Sequence, residues 1–587
     1  MNRHLILTIV CLVTSCIHSE EAIKPNSTFP AQANSTRSSY LASSDKGMIT
    51  SAHPQASQAG LEILKEGGNA VDAAIAVSMA VSVVRPQSTG IGGGGFLLHF
   101  HKGSGSVKAY DFRETAPSNA SRDMYLDKNG EPKDGSYRGK IVPNISVNGH
   151  HSVATPGLIM GLWKIHKKHG SLPWKRLVQP AIKLAKEGFV IYPSLEKAIL
   201  RRYDILNTFP STRKIFLPKG KAPVAGDILI QKDLARTLES IAFDGAAPFY
   251  EGWIAKSIAD EVQEGGGVLS MHDLSSYKMK ERTPISTSFY GHKLFSMPPP
   301  SSGGVHIAQM LNILEDRSLH KLKHHSVEYI NLLVEVMRRA YADRAEYLGD
   351  TDFIEVPVDA LISKEYARKL SKELPLGKAG NSNEIGPGTP TSLESPSTTH
   401  LSIVDQWGNG VSSTQTINYT FGSGVVAEGT GIILNDEMDD FSKKPGVPNA
   451  FGLVGSKANE IQPLKRMLSS MSPSFILKDE QLTGIVGSPG GSRIINATLQ
   501  AIINRYLYKM LPIDAVHSSR IHHQWLPDIV FLEKNTLGED VTSKLIEMGY
   551  TLKDAPFPVG DVQAIFKHEG KWQGISDTRS DGRPLGQ

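Results

Sequence analysis

Cysteine is almost missing from this chain: among 587 residues only Cys11 and Cys16 occur, and none follows them. Everything beyond the first sixteen residues therefore forms no internal disulfide, builds no cysteine-based zinc site and offers no thiolate nucleophile. Long apolar runs are missing too. The one candidate, Leu5 to Val13 behind Arg3 and His4, falls far short of the roughly 20 residues that span a bilayer and reads as an export signal. No excess of one charge exists either: 63 lysines plus arginines face 59 aspartates plus glutamates, and a net +4 over this length excludes the electrostatic footprint of a nucleic-acid binder. At 40% hydrophobic and 21% charged residues, the chain has enough apolar material for a full core and too little charge to stay disordered. There is no internal repeat, no P-loop, no His-Glu-x-x-His and no Gly-x-Ser-x-Gly. The pairs His150-His151, His324-His325 and His522-His523 are sequence neighbours whose side chains diverge on any regular element, so no metal site is expected from them.

What is present starts at the export signal, residues 1–16. It ends Val13-Thr14-Ser15-Cys16, as in a bacterial lipobox, and leaves two readings: lipid on Cys16, or a simple signal cleaved nearby. A polar stretch, 17–46, reads as a tether, with ordered structure from about Gly47. Pro54 opens a helix closed by Gly67-Gly68, and Asn69 caps a second, almost wholly apolar helix through Val84 that must be buried. Val107, Ala109 and Asp111 to Arg113 read as a strand. Amphipathic helices are expected over Leu158–Lys168, Trp174–Glu187 and Tyr329–Tyr347. Gly90 to Gly95 fits Gly-x-Gly-x-x-Gly, but follows a helix instead of opening one, and so reads as a turn or a close backbone approach.

Leu376 to Ser397 is a polar tract that reads as a flexible surface segment, and it runs directly into Thr398-Thr399-His400-Leu401-Ser402-Ile403-Val404, then Gly408-Asn409-Gly410 and Val411 to Ile417, which spells a β-hairpin. Threonines suit the start of a strand for purely structural reasons. They also allow chemistry: a threonine hydroxyl becomes a nucleophile when an N-terminal amine serves as its base, which requires a cut between Ser397 and Thr398.

Several motifs in order, Gly90 to Phe96, Asp111-Phe112-Arg113-Glu114-Thr115-Ala116-Pro117, Pro298 to Gly304, Thr398-Thr399-His400, Met438-Asp439-Asp440-Phe441, Leu468 to Pro473 and Gly487 to Ser492, make the chain resemble the γ-glutamyltransferases (γ-glutamyl transpeptidases), N-terminal-nucleophile hydrolases of bacterial type with a lid loop. The resemblance implies an α+β fold, a four-layer αββα sandwich of two antiparallel sheets flanked by helices. It also implies self-cleavage before Thr398 into a large subunit (47–397) and a small one (398–587) that stay together as a heterodimer. The implied activity passes the γ-glutamyl group of glutathione or related donors to amino acids, peptides or water, without metal or organic cofactor and without nucleic acid.

In the roles the resemblance implies, Arg113, Ser469 and Ser470 hold the donor's α-carboxylate, while Asp440, Glu437 and Asn418 hold its ammonium, as the chemistry of each group requires. Gly490 and Gly491 present backbone N–H groups to the oxyanion, and Thr416 hydrogen-bonds the Thr398 hydroxyl. Pro445 to Gly455 resembles the lid, with Phe451 where the better-known form has tyrosine. Glu437 replaces a glutamine of some relatives, and Thr578 stands where proline is frequent. Two rivals stay open: a glutaryl-cephalosporin acylase or poly-γ-glutamate depolymerase on the same fold, and a non-catalytic surface-binding lipoprotein. The expected location is outside the cytoplasm, periplasmic or anchored to a membrane through Cys16.

Overall fold

The computed structural model describes residues 37–385, 398–444 and 455–587; the export signal with Cys16, the cleavage residue Ser397 and the lid residue Phe451 lie outside these. The strands of the two main sheets are β1 (Leu41–Ser44), β2 (Met48–Ser51), β3 (Gly94–His101), β4 (Ser106–Phe112), β5 (Lys280–Arg282), β6 (Ile285–Phe289), β7 (His292–Ser296), β8 (Thr399–Val404), β9 (Gly410–Thr416), β10 (Ser474–Lys478), β11 (Gln481–Gly487), β12 (Gln563–His568), β13 (Lys571–Ser576) and β14 (Leu585–Gly586). One sheet runs β1-β13-β12-β11-β10-β7-β6 and the other β14-β2-β8-β9-β3-β4-β5, every neighbouring pair antiparallel.

Alternation along the strands builds the layers. In β3, Phe96, Leu98 and Phe100 point into the space between the sheets and meet Phe475 and Leu477 of β10, Ile485 of β11 and Ile565 of β12, while Leu97 points the other way onto helices. The helices on that outer face include α1 (Pro54–Lys65), α2 (Ala70–Val84), α3 (Leu158–His169) and α4 (Trp174–Glu187). The opposite face is covered by α5 (Gly303–Asp316), α6 (Val327–Tyr347) and α7 (Arg493–Tyr506). The result is the expected αββα sandwich. Helix α2 is buried along all of its length, which explains why it has no polar face; its Asn69 and Asp72 form a reciprocal capping box. At about 1.5–3 kcal/mol for each fully buried large apolar side chain, its valines and isoleucine hold the outer layer to the sheet.

Three expectations need correction. Ordered structure begins by Arg37, not near Gly47: β1 pairs with β13, and the buried Tyr40 lies under Arg583 at 4.0 Å. An edge strand is held by backbone hydrogen bonds, so its small polar residues carried no apolar signal. The first part of the 376–397 tract is packed as well: Ser382 is buried, its N–H donating to Asp528 (2.9 Å) and its hydroxyl to the Trp525 carbonyl (2.6 Å). The strand read through Arg113 ends at Phe112.

The glycine run is a close backbone approach. A Cβ on Gly93 would stand 2.0 Å from the Thr416 carbonyl oxygen, and one on Gly92 2.3 Å from that of Ile433. The end of β9 is thus pressed against bare backbone. Gly93→Ala is expected to cost about 1–3 kcal/mol in thermal unfolding.

Candidate active site

The hairpin register sets the site. Thr399 pairs with Gln415 and His400 with Thr414, so Thr398, one residue before the strand, falls opposite Thr416 on the face between the sheets. Its Oγ1 lies 3.4 Å from Thr416 Oγ1, which also accepts the Asn418 N–H at 2.7 Å. Thr398 is buried and has φ +134°, a backbone conformation that a β-branched residue adopts only under strain of about 1–3 kcal/mol. Burial drops the pKa of the nearby His400 to about 3, so this ring stays neutral between Thr414 and Ser402.

The other groups arrive at the same end of the sandwich from neighbouring strands. Arg113 follows the last residue of β4, Ser469 and Ser470 precede β10, and Gly490-Gly491 follow β11 and lead into α7. Gly490 (φ +133°) and Gly491 (φ +57°) use backbone conformations that favour glycine. Thr398 stands between two recesses. One, about 20 Å³, is lined by Arg113, Thr416, Asn418, Glu437, Asp440, Ser469, Ser470 and Gly491 together with Arg344. The other, about 400 Å³, has Gly490, Arg85, Lys197 and Asp561 in its wall.

The small recess is filled by its own ion pairs. Arg113 contacts Glu437 and Asp440 directly and lies 3.6 Å from Glu114. Burial opposes the charge on Arg113, but Glu437, Asp440 and Glu114 outweigh it and hold its pKa above the usual value. The cost falls on the acids. Burial pushes Asp440 up to about 6 and Glu114 up to about 8 against the pull of Arg113, and drives Glu437 well up, with Glu114 and Asp440 adding repulsion. The two adjacent aspartates divide their work: Asp439 is tied to Lys443 (2.8 Å) and Ser146 (2.6 Å), and Asp440 faces the recess.

All ten site residues expected within the described chain therefore converge around Thr398, although Gly490 and Gly491 face different recesses. Arg344 was not anticipated. It sits on a helix whose amphipathic pattern made it look like one more surface arginine, and only packing turns it inward. Among the described residues there is no cluster of three or more histidine, cysteine, aspartate or glutamate side chains suited to a metal ion, and no helix long and apolar enough to cross a membrane.

Residues 56–587 match the family model described as Gamma-glutamyltranspeptidase. The chain is 45% identical over 541 residues to the glutathione hydrolase proenzyme of Escherichia coli strain K12, covering 91% of this chain and 90% of that protein. It is 36% identical over 562 residues to the acylase ACY 1 proenzyme of Pseudomonas sp. strain SE83, covering 95% and 96%. The crystal structure of a cephalosporin acylase from Bacillus halodurans superposes with a TM-score of 0.80 at 28% identity, over 93% of this chain and 97% of that one. With the αββα sandwich, the threonine at the hairpin edge and a match along nearly its whole length, the chain belongs to the gamma-glutamyltranspeptidase family.

Proposed function

We propose that the protein is a γ-glutamyltransferase and glutathione hydrolase that matures by cutting itself before Thr398. The observation that carries this is the contact of the Thr398 and Thr416 hydroxyls beside a recess lined by two guanidiniums and two facing carboxyls. A γ-glutamyl donor is a zwitterion at its α-carbon. Its carboxylate can take the place of Glu437 and Asp440 on Arg113 while its ammonium takes up the carboxylates released, so each internal ion pair is exchanged for another. Ser469 and Ser470 add hydroxyl donors, and Asn418 adds an amide oxygen.

In maturation, the Thr398 hydroxyl attacks the Ser397 carbonyl carbon. The C–N bond breaks as the C–O bond forms, the hydroxyl proton passes to the departing amine, and water then hydrolyses the ester. Cleavage removes the peptide link whose φ is strained. The freed α-amine, with an ordinary pKa of about 7.7–8.0, takes the Thr398 hydroxyl proton during catalysis. Attack on the γ-carbonyl forms an oxyanion that the N–H groups of Gly490 and Gly491 stabilise, each such donor being worth about 10²- to 10³-fold in rate. The leaving amine departs with the proton. Water or an acceptor amine then attacks the γ-glutamyl-threonyl ester. The cut products stay together on this reading because each sheet interleaves strands from both sides of position 398.

The mature protein is expected to show a fragment of about 190 residues beginning Thr-Thr-His by N-terminal sequencing, eluting with the larger piece without denaturant. Thr398→Ala should remain one chain with no turnover. An active but uncut wild-type chain would overturn the mechanism.

A glutaryl donor is the rival on the same fold, and Asp440 separates the two. Losing its charge should cost a γ-glutamyl donor about 1.5–3 kcal/mol, or one to two orders of magnitude in kcat/KM, and cost a glutaryl donor little. Confirmed-cleaved Asp440→Asn protein assayed on both donors tests this; equal losses would make Asp440 structural. Because Asp440 titrates near 6, its carboxylate, the form that holds an ammonium, is lost as the pH falls through that value. The glutamyl-to-glutaryl ratio of kcat/KM should fall with it.

We also assign the lipid reading to Cys16, with the protein held on an envelope membrane. Cys16→Ala should release it to the soluble fraction or block its maturation. A native N-terminus downstream of Cys16 would refute the anchor and leave the enzyme untouched.

A further inference from the structure

Resting on the donor-site reading above, we infer that Arg344 is a positioning residue for the donor's α-carboxylate: it turns the Ser470 hydroxyl proton toward that carboxylate and supplies the recess with a positive charge not already matched by an acid. Two guanidiniums line this recess, and they are held in opposite ways. Arg113 is enclosed by Glu437, Asp440 and Glu114. Arg344, equally buried on α6, has no carboxylate within 4.0 Å among the described residues; it donates through Nε to Ser302 Oγ (3.0 Å) and through Nη2 to Ser470 Oγ (3.3 Å).

The two hydroxyls differ in what they do with their own proton. Ser302 passes its proton to the Ser469 carbonyl (2.8 Å), which ties α6 to the turn before α5 and to the loop carrying both serines. Ser470 accepts from a cation that can only donate, so its proton must point away from Arg344. Its hydroxyl lines the recess. A buried cation without a counter-charge is costly, and burial lowers the Arg344 pKa to about 10, which still leaves it charged at neutral pH. Asp440 favours that charge and Arg113 disfavours it. A donor carboxylate arriving beside Ser470 supplies the missing negative charge. The chain residues Arg344, Ser470 and Arg113 would then grip one carboxylate from two sides, while Asp440 and Glu437 turn to the ammonium.

The test compares two ligands that differ only in the α-carboxylate: a γ-glutamyl anilide and the corresponding 4-aminobutyryl anilide, with L-glutamate and 4-aminobutyrate for binding by calorimetry. Self-cleavage and melting temperature are checked for each variant. Arg344→Gln is expected to weaken L-glutamate binding and raise KM for the γ-glutamyl donor about ten- to a hundredfold, with kcat changed less, and to leave the 4-aminobutyryl compounds as they were. Arg344→Lys, which keeps the charge and loses the fork, should recover part of the loss. Combined with Ser470→Ala, the effects should be less than additive. Equal losses on both ligand pairs, no loss on the glutamyl pair, or full additivity with Ser470→Ala would overturn the assignment. If Arg344→Gln fails to fold, the Arg344→Lys and Ser470→Ala proteins decide it by the same ligand comparison. Wild-type protein that binds glutamate no better than 4-aminobutyrate would overturn the donor-site reading and this inference together; a wild type that prefers glutamate while Arg344→Gln keeps that preference would overturn this inference alone.

Discussion

Six antiparallel pairs between β8 and β9, from Thr399 with Gln415 to Val404 with Gly410, decide where the first residue before β8 can be. Side chains alternate faces with period two, so a slip of one residue would send Thr398 onto the helical side of the sheet. The register is held from both sides. On one, Leu401, Ile403 and Val411 are buried against α2 and its neighbours; on the other, His400, Ser402 and Thr414 form a hydrogen-bonded row between the sheets. Beside β9, Gly93 and Gly95 carry no Cβ that would press on the Thr416 and Thr414 carbonyls. The position of one hydroxyl thus depends on a hydrophobic layer, a polar row and bare backbone acting together.

The second constraint is electrostatic. Arg113, Glu114 and Glu437 are buried and Asp440 is half-buried, and together with Arg344 they concentrate five ionisable groups around one recess. Such an arrangement is weak as a source of stability, because desolvation consumes much of the attraction. It is well suited to recognising a zwitterion, whose two charges match the two signs already held there. The raised pKa values of the acids follow from burying so many like charges together.

The same ends of strands serve both sheets. Arg113 leaves β4, Ser469 and Ser470 lead toward β10, and Gly490-Gly491 leave β11, so the sandwich delivers donor-binding and oxyanion groups to one edge without a dedicated domain. Because each sheet pairs strands from before position 398 with strands from after it, separating them would tear backbone ladders as well as the inter-sheet core.

By itself the sequence determined the elements whose signal is local. The Asn69 cap, the all-apolar α2, the presence of the β8–β9 hairpin and the glycine run were legible because capping, periodicity and backbone sterics act within a few residues, although the hairpin turns through Asp405 to Asn409 with Gly408 left-handed and not on the Asn409-Gly410 pair. Motif resemblance further named Thr398, Arg113, Asp440 and their companions. Tertiary structure alone decided the rest, for reasons of distance. Arg344 is separated by more than a hundred residues from Ser470 and looks like any helical arginine until α6 packs against the serine loop. The division of labour between Asp439 and Asp440 rests on Ser146, far away in the chain. The edge strand β1 is held by hydrogen bonds that no side-chain pattern announces. The strain at Thr398 and the pairing of Arg113 with Glu437 and Asp440 arise only when segments remote in sequence are brought together, since burial and charge proximity are properties of the packed molecule and not of its local spelling.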